Sequence, residues 1–190
     1  MSRRAGLDRA AVVREAAALA DGPGGLDGLS LARLAARLGV RVPSLYNHIE
    51  GLDALRRELG LRGLRELSAR LGRAAIGRAA GDAIVAFADA YRTFAHDHPG
   101  LYAASLRASP LGDEEWRAAG DDLVGIVLAI LAAYDLRDDD ALHAVRGLRS
   151  TVHGFVALEA AGGFGLPLDL DESYRRLIRT FVAGLQRDRE

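Results

Sequence analysis

Alanine, leucine and arginine dominate this chain, and valine, isoleucine and threonine are too sparse to build strands. That bias confines it to helices, cut wherever glycine, proline or a run of acids interrupts the pattern. The interruptions fall at Gly22-Pro23-Gly24-Gly25, Gly39, Gly51, Gly81, Pro99-Gly100, Pro110, Asp138-Asp139-Asp140 and Gly162 to Pro167. About nine helical stretches lie between them, and the predicted fold is all-α.

Asp8 is placed to cap the first helix, with Val12, Ala16 and Leu19 along one face, and Ser30 to cap a second carrying Leu31, Leu34, Ala35 and Leu38. A short third helix is predicted from Val42 to Ile49, and a long fourth from near Leu52 to Leu71 and beyond. Five more follow over Ala83–Asp97, Leu101–Ala108, Asp113–Tyr134, Ala141–Ala161 and Glu172–Arg187. After Leu123 the seventh is apolar on all sides, which predicts that protein surrounds it. The expected organisation is a head of three short helices, residues 1–50, followed by a helical body, residues 51–190.

The 190 residues contain no cysteine, which excludes disulfides, cysteine-based zinc modules and thiol chemistry. The net charge of −1 hides a partition. Residues 1–80 hold 14 arginines against 8 acids, and residues 81–190 hold 11 against 18. A basic end on an acidic remainder fits contact with a polyanion. Residues 1–60 alone hold 9 arginines against 7 acids, so charge is a weaker guide than motif geometry. The longest apolar run, Leu123–Tyr134, falls well short of the ~20 residues that span a bilayer. No apolar leader follows Arg3 and Arg4, so a soluble cytoplasmic protein without a membrane partner is expected. The five histidines, His48, His96, His98, His143 and His153, form no metal-binding spacing, and no nucleophile motif appears. Neither metal, cofactor nor enzymatic activity is expected.

The informative stretch runs from Ser30 to Ile49. Ala35 is small enough to let two helices approach, and Gly39, four residues on, supplies the positive φ that turns the chain sharply. Val40 and Leu45 are spaced to plug the corner between the helices. This is a helix-turn-helix whose second helix suits a major groove. Leu45 and Ile49 point inward, leaving Arg41, Val42, Pro43, Ser44, Tyr46, Asn47 and His48 for DNA. Tyr46 and His48 can donate to phosphates, Ser44 and Asn47 to base edges, and Arg41 to guanine or phosphate. Arg33 and Arg37 share a face of the preceding helix, where the DNA backbone crosses. Arg3 and Arg4 form a candidate arm.

These residues resemble the TetR/AcrR family of transcriptional regulators. The resemblance covers roughly residues 8–60 and rests on Ser30, the Ala35 to Gly39-Val40 turn, Leu45-Tyr46-x-His48 followed by a hydrophobic residue, and the leucine-rich fourth helix. It implies an all-α homodimer that binds a palindromic operator, usually as a repressor, and releases it when a small molecule occupies the body. Two positions depart from the family. Arg41 stands where Ser or Thr usually caps the recognition helix, and Leu52 where a Lys is common.

Val152-His153-Gly154-Phe155, with Glu159, Gly162 to Gly165 and Ser173 to Leu177, resembles the family's C-terminal domain marked by a Trp-His-Gly triplet, with Val152 in the Trp place. Gly147, Ser150, Gly154, Ala157 and Ala161 form a stripe of small side chains that would admit a symmetry mate, joined by Leu177, Phe181 and Leu185 of the last helix. The alternative is packing of the stripe against that last helix within one chain. Val145, Leu148, Val152 and Phe155 form the opposite, core-facing stripe. Phe87, Tyr91, Phe94, Tyr102, Trp116, Leu123, Val127 and His153 are candidates for the lining of a pocket for an apolar effector. Trp116, beside Glu114 and Glu115, equally fits a surface anchor. A second reading also stays open: a helical small-molecule-binding protein, or an enzyme using His153 and Glu159, with no sequence-specific DNA role.

Overall fold

The computed structural model describes residues 7–108 and 111–187, and Arg3, Arg4 and Pro110 lie outside them. Among the described residues all regular secondary structure is helical, with no strand. In order it forms α1 (Arg9–Ala20), α2 (Leu31–Leu38), α3 (Val42–Leu45), α4 (Leu52–Ala75), α5 (Ala80–Asp97), α6 (Pro99–Ser105), α7 (Glu114–Leu131), a 3-10 turn (Ala132–Tyr134), α8 (Asp138–Ala160) and α9 (Leu170–Arg187). Among the described residues no helix is long and apolar enough to cross a membrane. Two compact units result. The first holds the described residues through Arg65 together with Asp97–Trp116, and the second holds Glu66–His96 and the described chain from Arg117 onward.

In the first unit the caps form as read. Asp8 accepts from Ala11 N at 2.6 Å and Ser30 from Arg33 N at 3.2 Å. Val12, Val13, Ala16, Ala17 and Ala20 turn one face of α1 into the core, where α1 packs against α2 and α6; Leu34 and Ala35 of α2 and Leu45 of α3 are buried in the same unit. The helix α6, beyond residue 50 in sequence, also belongs to this unit. Asp21, which ends α1, accepts from the backbone N–H of Gly100 at 2.8 Å and of Leu101 at 3.2 Å. It thereby caps α6 from another helix, and Gly100 lies so close to Ala20 that a side chain would not fit. Trp116 stacks over Gly60 of α4, and Arg57 of α4 binds Asp113, the residue just before α7.

The second unit is organised around Arg92 of α5. Its guanidinium bonds Glu159 of α8 twice, at 2.9 and 2.5 Å, and Asp171 of α9 at 2.8 Å. The same cation lies over the rings of Phe155 and Tyr174. Phe155 packs between Phe164 and Tyr174, and the buried Tyr174 hydroxyl donates to the Ala88 carbonyl at 2.7 Å. Val145, Leu148, Val152 and Phe155 are all buried, as their spacing predicts.

Two expectations need correction. The predicted helix over 42–49 shortens to α3 at Leu45, after which the chain continues as a turn to His48. The Tyr46 and His48 amides bond carbonyls three residues back, and Tyr, Asn and His are poor helix formers just before a glycine. The later part of α7 is not enclosed by its own chain. Val124, Gly125 and Ala129 face outward, and because two of them are small this exposes little apolar area.

Candidate nucleic-acid interface

The corner between α2 and α3 is built on Gly39, whose φ of +68° places it in the left-handed region. Its amide bonds Ala36 O at 3.2 Å, and the Val40 amide bonds Ala35 O at 3.0 Å, closing a Schellman turn. Ala35 is buried where the helices meet. A single conformational requirement at Gly39 thus sets the direction in which α3 leaves. Leu45 and Ile49 anchor that segment from beneath, both buried. Arg41, Pro43, Tyr46 and Asn47 are exposed on the other side, with Val42, Ser44 and His48 half-exposed. Tyr46 is 57% exposed, far more than an aromatic side chain placed for packing.

The sequence places Arg33, Arg37 and Arg41 on the same surface, but their situations differ. The Arg33 guanidinium donates to Gly28 O at 2.5 Å and Pro23 O at 3.3 Å, clasping the loop between α1 and α2. Arg37 pairs with Glu15 of α1 at 2.7 Å. Arg41 occupies the position before α3 with φ −86° and ψ 149° and makes no side-chain capping bond, since a guanidinium cannot accept one. Sequence reasoning missed the partners of Arg33 and Arg37. Opposite charges on two amphipathic helices carry no register, so nothing in the one-dimensional pattern pairs Glu15 with Arg37.

The pocket candidates divide between the two units. Tyr102 and Trp116 lie in the first, Trp116 only 6% exposed, which removes the surface-anchor reading. Phe87, Tyr91, Phe94, Leu123, Val127 and His153 lie in the second. Phe87, Tyr91, Phe94 and Val127 are buried there, whereas Leu123 and His153 are half-exposed.

The small stripe on α8 also divides. Gly147 faces Phe181 of α9, where an added Cβ would sit 3.3 Å from the ring, and Leu185 is buried. Packing within the chain therefore claims that end. Ser150, Ala157, Ala161 and Leu177 are exposed, and a Cβ at Gly154 would meet open space. Leu158, Leu166 and Leu168 add exposed apolar area. Glu159 is committed to Arg92, whose hydrogen bonds hold its carboxyl below the usual glutamate value despite burial. A carboxylate so engaged is a poor general base.

Residues 84–181 match the model of the family described as tetracyclin repressor-like, C-terminal domain. The chain is 40% identical over 186 residues to the uncharacterized HTH-type transcriptional regulator YobS of Bacillus subtilis (strain 168), covering 97% of this chain and 96% of that protein. A solved protein of unknown function from Rhodococcus sp. RHA1 superimposes with a TM-score of 0.81 at 29% identity, over 98% of this chain and 99% of its own. A variant of TetR from Acinetobacter baumannii AYE, solved in complex with minocycline, shares the fold with a TM-score of 0.72 at 23% identity, over 97% and 99%.

Proposed function

The chain belongs to the TetR family of transcriptional regulators, and we propose that it is a cytoplasmic, homodimeric repressor released from a palindromic operator by an apolar small molecule. The observation that carries this reading is the Gly39 corner, which buries Leu45 and Ile49 and leaves Arg41, Tyr46 and Asn47 exposed on one short segment. In this reading residues 1–50 are the DNA-binding domain. Tyr46 and His48 hold phosphates, while Arg41, Val42, Pro43, Ser44 and Asn47 face base edges. Arg33 and Arg37 reach the backbone only by giving up Gly28, Pro23 and Glu15.

Residues 51–190 are assigned to the effector and the dimer. Phe87, Tyr91, Phe94, Leu123, Val127 and His153 are the candidate contacts in the second unit, and Tyr102 and Trp116 are candidates within the first. An apolar effector agrees with the aromatic character of this set, and the Acinetobacter TetR variant is itself a small-molecule complex, with minocycline. The open part of the small stripe, Ser150, Gly154, Ala157, Ala161 and Leu177, is assigned to a second copy, with Gly147, Phe181 and Leu185 supporting it from within the chain. Release follows if the effector changes the separation of two recognition helices that must stand about 34–36 Å apart, or a multiple of that. The chain runs between its units within α4, the candidate element for transmitting that change. No catalytic step is assigned. The enzyme reading loses its base because Glu159 is bound to Arg92.

The test is anisotropy titration of the full chain on DNA flanking its own gene. Specific binding by two chains per site is expected, lost in Tyr46→Ala while the circular dichroism stays unchanged. Binding that ignores sequence, or survives that substitution, overturns the reading.

A further inference from the structure

Building on the regulator reading above, we infer that Arg41 reads a guanine, one in each operator half-site, through paired hydrogen bonds from its guanidinium to O6 and N7 in the major groove. The side chain leaves the backbone just before α3, where φ −86° and ψ 149° are still extended, and it is exposed. Residues at the N-terminus of a recognition helix are those that reach base edges. Arg33 and Arg37 are occupied by loop carbonyls and by Glu15, whereas the Arg41 guanidinium has no partner among the described residues. No acidic residue occurs between Asp27 and Glu50, so α2 and α3 offer this cation no carboxylate of their own.

The chemistry of the neighbours narrows the assignment further. Phosphate contacts have donors in Tyr46 and His48. Asn47 matches the N6 and N7 pattern of adenine, and Ser44 has a single hydroxyl. From Val40 to Ile49, Arg41 alone presents two parallel donors, the fork that guanine's two acceptors require. Arg41 gives up the capping bond that a shorter polar residue would make, and the guanine pair is the return on that loss.

The experiment selects bound DNA from a random pool with the full wild-type chain and with Arg41→Ala in parallel. Each protein is then titrated against the selected operator and a copy carrying 7-deazaguanine, which lacks the N7 acceptor. The wild type is expected to fix guanine at one position per half-site, and Arg41→Ala to keep the rest of the motif while accepting any base there. The 7-deaza operator should cost the wild type about tenfold in affinity. That arm uses only wild-type protein, so a null result there overturns the inference even if the variant folds poorly. If 7-deazaguanine costs nothing, or if Arg41→Ala keeps the guanine and only lowers the salt slope by about one, Arg41 holds a phosphate and the inference is wrong. A wild type that enriches no sequence removes the regulator reading first, and this inference with it.

Discussion

Arg57 of α4 grips the carboxylate of Asp113 with two hydrogen bonds, Nε to Oδ2 at 2.5 Å and Nη2 to Oδ1 at 2.7 Å. The same carboxylate accepts from the Trp116 amide at 3.1 Å, so one side chain both caps α7 and ties it to α4. Arg57 also reaches Glu115, which in turn pairs with Arg65 further along α4. Paired charges of this geometry hold the Asp113 carboxyl below its ordinary value and the guanidinium above its own. Asp113→Asn keeps a capping oxygen but loses the ion pair, whereas Asp113→Ala loses both. Melting temperatures should therefore fall in the order wild type, Asn, Ala. Equal values for Asn and Ala would assign the whole effect to the ion pair.

Directly beneath this clasp, Gly60 accommodates the ring of Trp116 and the carbonyl of Ala104. Any Cβ at Gly60 would overlap the indole, and a ring is not the flexible end of a side chain. Gly60→Ala should cost about 1–3 kcal/mol through overpacking. Trp116 is the only tryptophan, so its emission reports the event. Emission in the variant should move to longer wavelength as the ring is pushed toward water. Unchanged emission together with an unchanged melt would mean that the helices separate at no cost.

Acid should weaken the second unit through Glu159. Its carboxyl lies below the ordinary 4.5 because Arg92 bonds it, while burial opposes that shift. A carboxyl depressed in the folded state contributes stability that is complete above its unfolded value and fades as pH falls through the folded value. Melting temperature should thus drop below about pH 4.5, and Glu159→Gln should flatten that drop while lowering stability at neutral pH. A variant with the same acid limb as the wild type would exclude Glu159 as a source of it.

The helical order, the caps at Asp8 and Ser30, and the corner at Gly39 were all legible because each depends on residues within about five positions. The interactions that join distant helices were not. Arg57 and Asp113 are 56 residues apart, Arg92 and Glu159 67, and Asp21 and Gly100 79. Periodicity says which face of a helix is apolar but not which helix it meets. The small stripe on α8 shows that limit. Its spacing was plain, yet only the facing ring of Phe181 distinguishes Gly147 from Gly154.

That difference is testable. Gly154→Leu adds a side chain into open space and should leave the fold of one chain intact while preventing close approach of a second. Gly147→Leu would strike Phe181 and should lower the melting temperature. Sedimentation should show Gly154→Leu as a monomer with a native dichroism spectrum. A full-mass dimer for this variant would move the self-association surface elsewhere.

The two arginines of α2 should separate in the same way. Arg37 and Glu15 are half-exposed, and a pair of that kind is worth about 0–1 kcal/mol. If Arg37 must leave Glu15 to meet a phosphate, Glu15→Gln removes the competitor and should tighten operator binding by at most about fivefold. Arg37→Ala should then lower the salt slope by about one. Arg33 is tied to Gly28 and Pro23, carbonyls that no substitution removes, so its main work is to hold the loop before α2. Arg33→Ala should therefore lower the melting temperature and leave the salt slope unchanged. A fall in slope without loss of stability would show that Arg33 abandons the loop for DNA, and the clasp would then be a feature of the free protein only.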